Sequence, residues 1–275
     1  MAAKRRFIAP PRDGVDPACF DHPIHAGYAA YRDWCMSADW PSIDDLNAAL
    51  PPGAPRFVAQ DAALLDDGLH YETRIAERDA IATRPGNWHD LFNAMVWCRY
   101  PALKRALNAR QCAQIAAMGP SVRNRAQYAL TQFDEAGAIV RVRDPALLAA
   151  WDRHDWTTLL LGRADAWHRG DIAIAAIVGH ALLEISLAPT LFPVAKCLVV
   201  LGEADDAACI ARVVAAIAAG EVLDDPLELR PLPLAGIPGW HPGQGDAFYA
   251  TAPCFRPVRT GRVYPAPVGC RQVAG

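Results

Sequence analysis

The amino-acid sequence predicts a mixed α+β (or α/β) fold: a single domain with two short β-hairpins, several helices and an irregular, proline-rich C-terminal strap packed on the core. Three observations predict it. Apolar residues make up 52% of the 275 residues and charged residues only 21%, a composition that can build a sizeable core. Apolar residues recur with helical spacing in some segments and alternate as in strands in others. Prolines recur from residue 225 onward beside large aromatic residues, which indicates a packed but irregular segment.

Three segments are predicted along the chain. They are a helical and irregular N-terminal segment over 1–55, a core domain with its strap over 56–260, and a loose tail over 261–275. In the first segment Ser42 can cap a short helix, and Asp45 in its first turn favours the helix dipole. The proline-rich stretch that follows is expected to end that helix.

Two β-hairpins are predicted in the core domain. The first spans 71–83, where apolar and charged residues alternate from Tyr71 onward. The second spans 128–142, with β-favouring residues on both sides of an acidic loop. Gly137 at the end of that loop is expected to take the left-handed conformation that a hairpin turn favours.

Capping residues and composition predict the remaining elements. Asn87 is predicted to cap a helix that runs to Cys98, and Pro101 to begin the next helix. Asp144 followed by Pro145 indicates the start of another helix. Further along, the sequence predicts a strand leading into a helix over 172–187, a buried strand over 196–202 and a helix over 205–220.

Charge, cysteine content and motifs exclude several classes of protein. A net charge of −3 argues against nucleic-acid binding through bulk electrostatics. Two early prolines interrupt the basic N-terminus before an apolar signal forms, and no apolar run is long enough for a membrane span. The eight cysteines form no CxxC pair, so we expect reduced thiols in a cytoplasmic protein. The sequence contains no GxSxG, P-loop, GxGxxG after a strand, or HExxH motif.

The first candidate site is the start of the helix that follows Arg84. His89 and Asn93 lie four residues apart and share a helix face, with Asp90 beside them. An imidazole, a carboxylate and a carboxamide at a helix N-terminus can form an anion or metal site. The structural alternative is that Asn87 caps the helix and Asp90 returns the hydrogen bond in a capping box, while His89 is a buried, hydrogen-bonded histidine.

The second candidate site is the pair His180 and Glu184, which lies just after a predicted buried strand. Their spacing allows both to bind one divalent ion, although a simple ion pair explains it equally. Asp134 and Glu135 could serve as acid, base or metal ligands, but an acidic hairpin turn also accounts for them. Lys196 begins another strand and is either a solvated edge charge or a phosphate-facing lysine.

Several of these stretches together resemble a known family, the bacterial proteins grouped as domain of unknown function 3025. The resemblance rests on YETRI (71–75), TRPGNWHDLFNAMVW (83–97), ALN (106–108), ALTQFDEAG (129–137), GHALLE (179–184), AKCLVVLG (195–202), PLPLAGIPGW (231–240) and FYATAPCFRPVR (248–259). Because the family's activity is unknown, the resemblance implies no catalytic role. It implies that the candidate residues belong to the family pattern and that the strap is an ordered part of the domain.

We expect a cytoplasmic hydrolase that uses either a divalent metal ion or a histidine and carboxylate pair on a small molecule. The expected catalytic or metal-binding residues are His89, Asp90, His180 and Glu184, and the expected binding residues are Arg84, Asn87, Asn93 and Lys196. A shared role requires His89 and His180 to lie within about 12 Å of each other. The alternative is a non-catalytic module that binds a small ligand or a protein, with these residues as caps and buried hydrogen bonds. The sequence leaves the oligomeric state open.

Overall fold

Two β-sheets and the helices around them make up the part of the chain that the computed structural model describes, residues 7–119 and 122–269. The strands are β1 (Arg56–Ala59), β2 (Ala80–Thr83), β3 (Gly137–Val142), β4 (Ile172–Ile177), β5 (Val194–Leu201) and β6 (Arg230–Pro233). The α-helices are α1 (Arg32–Met36), α2 (Ile43–Ala48), α3 (Ala62–Leu65), α4 (Tyr71–Arg78), α5 (Trp88–Arg99), α6 (Pro101–Met118), α7 (Arg125–Ala136), α8 (Pro145–Asp152), α9 (Ala164–Arg169), α10 (His180–Ile185), α11 (Asp206–Ala219) and α12 (Asp246–Thr251). The predicted mixed α+β domain is confirmed.

Shorter turns complete the architecture, and they concentrate near the N-terminus and in the strap. The 3-10 helices are Arg12–Gly14, Pro17–Asp21, Pro23–Tyr31, Pro226–Glu228 and Leu234–Gly236, and a π-helical turn covers Thr157–Gly162. Among the residues that the structure describes, no helix combines the length and the hydropathy that a membrane crossing requires.

The larger sheet is mixed, with strand order β4-β3-β5-β6. Its central pair, β3 and β5, is parallel, and each outer strand is antiparallel to its neighbour. The side chains of the central strands are buried almost completely, because helices cover both faces of a parallel pair. The smaller sheet is the parallel pair of β1 and β2, with Arg56 opposite Ala80.

Most predictions based on caps are confirmed. Ser42 and Asp45 form a capping box at α2, and Pro101 is the first residue of α6. Asp144 accepts a hydrogen bond from the Ala146 backbone at the start of α8. The predicted strand leading into a helix is β4 followed by α10, and the two elements predicted after it are β5 and α11.

The first predicted hairpin, over 71–83, is wrong, since its first half is the helix α4. The His70 side chain caps α4 by accepting a backbone hydrogen bond at 3.2 Å. Asp79 then takes a left-handed conformation with φ 49°, and β2 follows and pairs with β1. The neighbours Arg74 and Ile75 are both buried. A helix can bury adjacent residues together, whereas a half-exposed strand places them on opposite faces.

The second predicted hairpin, over 128–142, is also wrong, because α7 occupies its first half and β3 its second. Asn124 and Gln127 form a capping box that starts the helix. The buried residues of α7 recur with helical spacing: Ala126, Ala129, Leu130 and Phe133. That spacing outweighs the β-propensity of single residues. Gly137 begins β3 with φ −74°, so the predicted left-handed turn is wrong as well.

The proline-rich strap contains regular elements that its prolines were expected to prevent. β6 includes Pro231 and Pro233, and it is the edge strand of the sheet, where proline's missing N–H is tolerated. The buried Arg230 attaches it to the core: its Nε donates to Asp152 Oδ1 at 2.7 Å and its Nη2 to the Pro265 carbonyl at 2.7 Å. The strap is therefore fastened by a buried cation as well as by apolar packing.

The bounds predicted for the core domain, residues 56 and 260, stay predictions. Val268 donates a backbone hydrogen bond to Val199 of β5 at 2.8 Å, so the described beginning of the predicted tail contacts the sheet. The rest of that tail, residues 270–275, lies outside the described residues.

Candidate metal centre

The ends of three helices bring four of the chemically active side chains together. His89 lies in the first turn of α5, and Glu135 lies in the last turn of α7. His180 is the first residue of α10, and Glu184 follows it by one turn. The distance between the two imidazoles is far below the 12 Å limit: their Nε2 atoms are 3.1 Å apart.

Two glycines hold α7 and α10 close enough for this contact. The carbonyl oxygen of Gly137, just after α7, accepts hydrogen bonds from the backbone amides of Val178 at 3.0 Å and Gly179 at 2.9 Å. A Cβ on Gly179 would lie 2.5 Å from backbone atoms of Ala136, and one on Gly137 would lie 2.2 Å from the carbonyl oxygen of Phe133. Only glycine fits at this crossing, because real Cβ atoms do not approach backbone so closely.

His89 is oriented by Glu184. Its Nδ1 lies 2.9 Å from Glu184 Oε2. An ionised carboxylate only accepts hydrogen bonds, so we assign the proton of the neutral imidazole to Nδ1, which leaves a lone pair on Nε2. The hydrogen bond to Glu184 raises the pKa of His89, and burial opposes that shift.

His180 is buried, with 4% of its surface exposed. Burial lowers its pKa to about 3, so the imidazole is neutral at neutral pH. Its Nδ1 lies 3.9 Å from Asp134 Oδ2, and its Nε2 faces His89. A proton on Nδ1 faces the negative charge of Asp134, whereas a lone pair there would face it unfavourably. We therefore assign the proton to Nδ1 and a lone pair to Nε2.

Glu135 completes a group of three possible ligands. Its Oε2 lies 3.6 Å from His180 Nε2, and its Oε1 lies 4.0 Å from His89 Nε2. One ligand atom from each of the three residues lies within 4.8 Å of the other two. Ligand atoms about 2.05 Å from a tetrahedral zinc ion are about 3.3 Å apart, so these separations suit one ion with a fourth position open.

A second layer of charged groups surrounds the three ligands. Glu184 accepts from His89, Asp134 faces His180, and the buried Lys104 donates to Asp134 at 2.5 Å. Burial alone would raise the pKa of Asp134, but the positive charge and hydrogen bond of Lys104 outweigh it, and the net pKa is lowered. Carboxylates behind the distal ring nitrogens are the usual support of metal-binding histidines.

A polar cavity of about 350 Å³ lies beside the centre. Its walls come from α4, α5, α6 and α7 and carry uncharged polar side chains: Tyr71, Asn93, Asn108, Gln111, Gln127 and Thr131. Its volume is at the lower end of the range for small-molecule sites. The cavity therefore has room for a small polar molecule next to the candidate ligands.

Arg84, Asn87 and Asp90 form a separate unit at the edge of the cavity. Asn87 caps α5 by accepting from the Asp90 amide at 3.0 Å, as predicted. The second hydrogen bond of the predicted capping box, from the Asn87 backbone amide to the Asp90 carboxylate, is wrong. Arg84 donates to that carboxylate instead. The backbone amide of Arg84 donates to it at 2.6 Å, its Nε at 3.0 Å and its Nη2 at 2.6 Å. Asp90 therefore orients an arginine at the wall of the cavity.

The last two predicted binding residues lie in different places. Asn93 lines the cavity and its Nδ2 donates to the Tyr71 hydroxyl at 3.0 Å. Lys196 lies on β5 and lines a separate groove beside Trp156 and Arg256. The structure brings Asn93 to the centre's cavity and places Lys196 elsewhere.

The sequence interpretation favoured a turn for Asp134 and Glu135, left their role as acid, base or metal ligands open, and missed Lys104 and Tyr71. The predicted acidic turn is wrong, since both carboxylates lie on the final turn of α7. The helical spacing of the apolar residues before them was the signal that could have placed them on a helix. Lys104 reaches Asp134 from a position 30 residues away, and no local pattern indicates that contact.

His25 supports the C-terminal end of α10 through a hydrogen bond to Ser186. Its Nε2 donates to Ser186 Oγ at 2.9 Å, because the Ser186 hydroxyl gives its own proton to the Leu183 carbonyl at 2.7 Å. Burial lowers the pKa of His25 to about 4.

We expect this histidine to make the metal-free protein less stable in acid. An unfolded histidine takes up a proton below about pH 6.5, whereas folded His25 resists protonation down to about pH 4. The free energy of unfolding should thus fall by about 3 kcal/mol from this residue as the pH drops through that window. Urea unfolding in a chelator between pH 7 and 4.5 measures it. His25→Gln keeps an amide donor, so its stability should depend less steeply on pH; equal slopes would contradict the assignment.

One family model matches the chain over residues 55–259, and its description is "Protein of unknown function (DUF3025)". The match includes every residue of the candidate centre and of its cavity. Comparisons with the curated proteins and with the solved structures find no match.

Proposed function

The chain belongs to the DUF3025 family, whose function is unknown, and we propose that it is a metal-dependent hydrolase of a small polar molecule. Under this proposal His89, His180 and Glu135 hold one divalent ion at the end of the cavity. Glu184 and Asp134 orient the two imidazoles. We also propose a cytoplasmic location, since the seven cysteines within the described residues form no disulfide, which is typical of a reducing compartment.

The contact between the two imidazoles carries the proposal. With both imidazoles neutral and both protons on Nδ1, two Nε2 lone pairs face each other at 3.1 Å, a repulsive arrangement that a divalent ion or a second proton on His89 would relieve. Moving one proton to the Nε2 of His180 would relieve that repulsion but turn a lone pair toward Asp134. A divalent ion bound by both lone pairs and by Glu135 resolves both conflicts at once.

The bound ion would supply a positive charge that polarises a carbonyl or phosphoryl oxygen and a water ligand that ionises near neutral pH. The Tyr71 hydroxyl would help the reaction by donating a hydrogen bond to the substrate. Its oxygen accepts from Asn93, so its own proton is available for a developing negative charge on the substrate. Burial raises the pKa of Tyr71, which keeps the phenol protonated. In the reaction, the water oxygen bonds to the carbonyl or phosphoryl centre, the bond to the leaving group breaks, and a water proton goes to the leaving group.

Elemental analysis of the purified chain tests the proposal. Two histidines and one carboxylate with an open position are typical of zinc hydrolases, and the same ligand set holds iron(II) in oxygenases. We expect about one zinc ion per chain, and hydrolysis of chromogenic esters, amides or phosphate esters that a chelator stops and zinc restores. Iron with oxygen consumption would contradict hydrolysis.

The alternative is a non-catalytic binding module in which the same side chains form a buried hydrogen-bond network. It predicts no stoichiometric metal, and a loss of about 1 to 3 kcal/mol of stability in His89→Ala from unsatisfied partners. The hydrolase proposal predicts that the melting temperature of the metal-free His89→Ala variant stays close to that of the metal-free wild type.

A further inference from the structure

Two helices run along the cavity and place polar side chains at regular steps away from the candidate metal centre. The residues are His89, Asn93 and Trp97 on α5, and Glu135, Thr131 and Gln127 on α7. Members of each row are four residues apart and so lie on one helix face. Each row covers about 12 Å, because a helix rises about 1.5 Å per residue. A molecule with its reacting bond at the centre can therefore lie along both rows.

The α5 row contains two buried polar atoms without a partner. Trp97 is 1% exposed, and its Nε1 donor has no hydrogen-bond acceptor within the part of the chain that the structure describes. The Oδ1 acceptor of Asn93 likewise has no donor there, although its Nδ2 is engaged by Tyr71. Buried polar atoms almost always form a hydrogen bond, so these two atoms are available to bind polar groups of a ligand or water. A substrate with hydrogen-bonding groups along its length fits them.

An exposed arginine lines the cavity near the start of α7, at the opposite end of that helix from Glu135. Arg123 lies two residues before α7, whose stretch from Arg125 to Glu135 is about 15 Å long, and it lines the cavity. Two acidic residues of the lining pair with cations, Asp90 with Arg84 and Asp134 with Lys104, and Glu72 accepts from the neutral amide of Asn108. Among the described residues, no carboxylate oxygen lies within 4 Å of the Arg123 guanidinium. Arg123 is exposed, so its guanidinium is accessible to an anionic group of a ligand in the cavity.

We propose that the substrate is an elongated polar anion. Its hydrolysable bond lies at the metal centre, its hydrogen-bonding middle lies along Asn93 and Trp97, and its carboxylate or phosphate lies at Arg123. This inference rests on the proposed function, because that function places the reacting bond at the centre. An apolar substrate would leave the buried polar atoms unpaired, and such sites discriminate strongly against ligands that lack the matching groups.

Calorimetric binding to the zinc-loaded full chain tests the class of ligand without turnover. The probes are linear dicarboxylates from succinate to suberate, the monoamide of suberate, and a phosphonate analogue of suberate. We expect suberate to bind at least about tenfold more tightly than succinate or the monoamide, because only suberate combines the greater length with a charge at both ends. A tighter phosphonate would identify phosphate as the preferred distal group, and a weaker one would identify carboxylate.

Two arginine variants separate the role of Arg123 from general charge. Arg123→Met keeps the length of the side chain and should bring suberate and its monoamide to within about threefold of each other. Arg125→Met removes an exposed arginine that pairs with Asp225 and does not line the cavity, so it should keep the full difference. The inference is overturned if suberate binds no better than the monoamide, or if both variants behave alike. Binding that depends on Arg123 without hydrolysis of any ester would overturn the hydrolase proposal instead.

Discussion

His180→Ala should release the metal ion and abolish the hydrolase activity with it. The substitution removes one of three proposed ligands. Binding of zinc by four ligands is worth about 10 to 16 kcal/mol, so one ligand contributes roughly 3 to 4 kcal/mol, a factor of roughly 100 to 1,000 in Kd. After dialysis we expect less than roughly 0.1 ion per chain, measured by elemental analysis.

Two further variants keep this result interpretable. Glu135→Gln changes a side chain that is 41% exposed and keeps its shape, so the protein should stay folded while the metal is lost. His168→Ala makes the same chemical change as His180→Ala at an exposed position on α9, and it should keep the full metal content. Retention of metal by His180→Ala at the level of His168→Ala would show that the ion is bound elsewhere. Circular dichroism and melting curves confirm that each variant folds.

Gly179→Ala should destabilise the protein by about 3 to 5 kcal/mol, a loss of roughly 10 °C in Tm. The added methyl group would lie 2.5 Å from backbone atoms of Ala136 and Gly137, and none of these atoms can rotate away. The backbone itself is no obstacle, because Gly179 has φ −74°, which alanine adopts readily. The expected loss is therefore steric, and urea unfolding of the metal-free protein measures it.

Gly245→Ala is the matched control for this substitution. Gly245 has an extended backbone with φ 178°, and no heavy atom lies within 4 Å of a Cβ built on it. We expect its free energy of unfolding to stay within about 0.5 kcal/mol of the wild type. If both alanine variants are equally stable, the crossing of α7 and α10 is looser than the structure indicates.

Elements marked by local chemistry could be predicted from the sequence. Asn87 before an apolar helical run identified the start of α5, and the change from β-branched to leucine-rich composition around Gly179 identified the junction of β4 and α10. These two signals placed His89 and His180 at helix starts. Their contact across 91 residues depends on how the helices pack, and local patterns carry no information about that.

Short β-like stretches were the weak point of the prediction. The alternation in α4 covered only a few residues, the interpretation of α7 relied on the β-propensity of single residues, and tertiary burial of one helix face decided both structures. Because Glu135 was placed in a turn, the prediction gave no reason to expect it beside His89 and His180. Asp90 shows the same limit on a smaller scale: the spacing from Asn87 suits a capping box, but Arg84 supplies a stronger, charged partner.

Two hydrogen bonds that support α10 come from residues outside the stretch that the family model matches. His25 holds the C-terminal end of this helix through Ser186, and the Tyr28 hydroxyl donates to the Ile177 carbonyl at 2.5 Å, just before the helix begins. Both residues precede the matched stretch of 55–259. A chain shortened to that stretch would keep every proposed metal ligand and lose the anchors on both sides of the helix that carries His180. The N-terminal segment therefore helps to hold the helix that carries His180 in position.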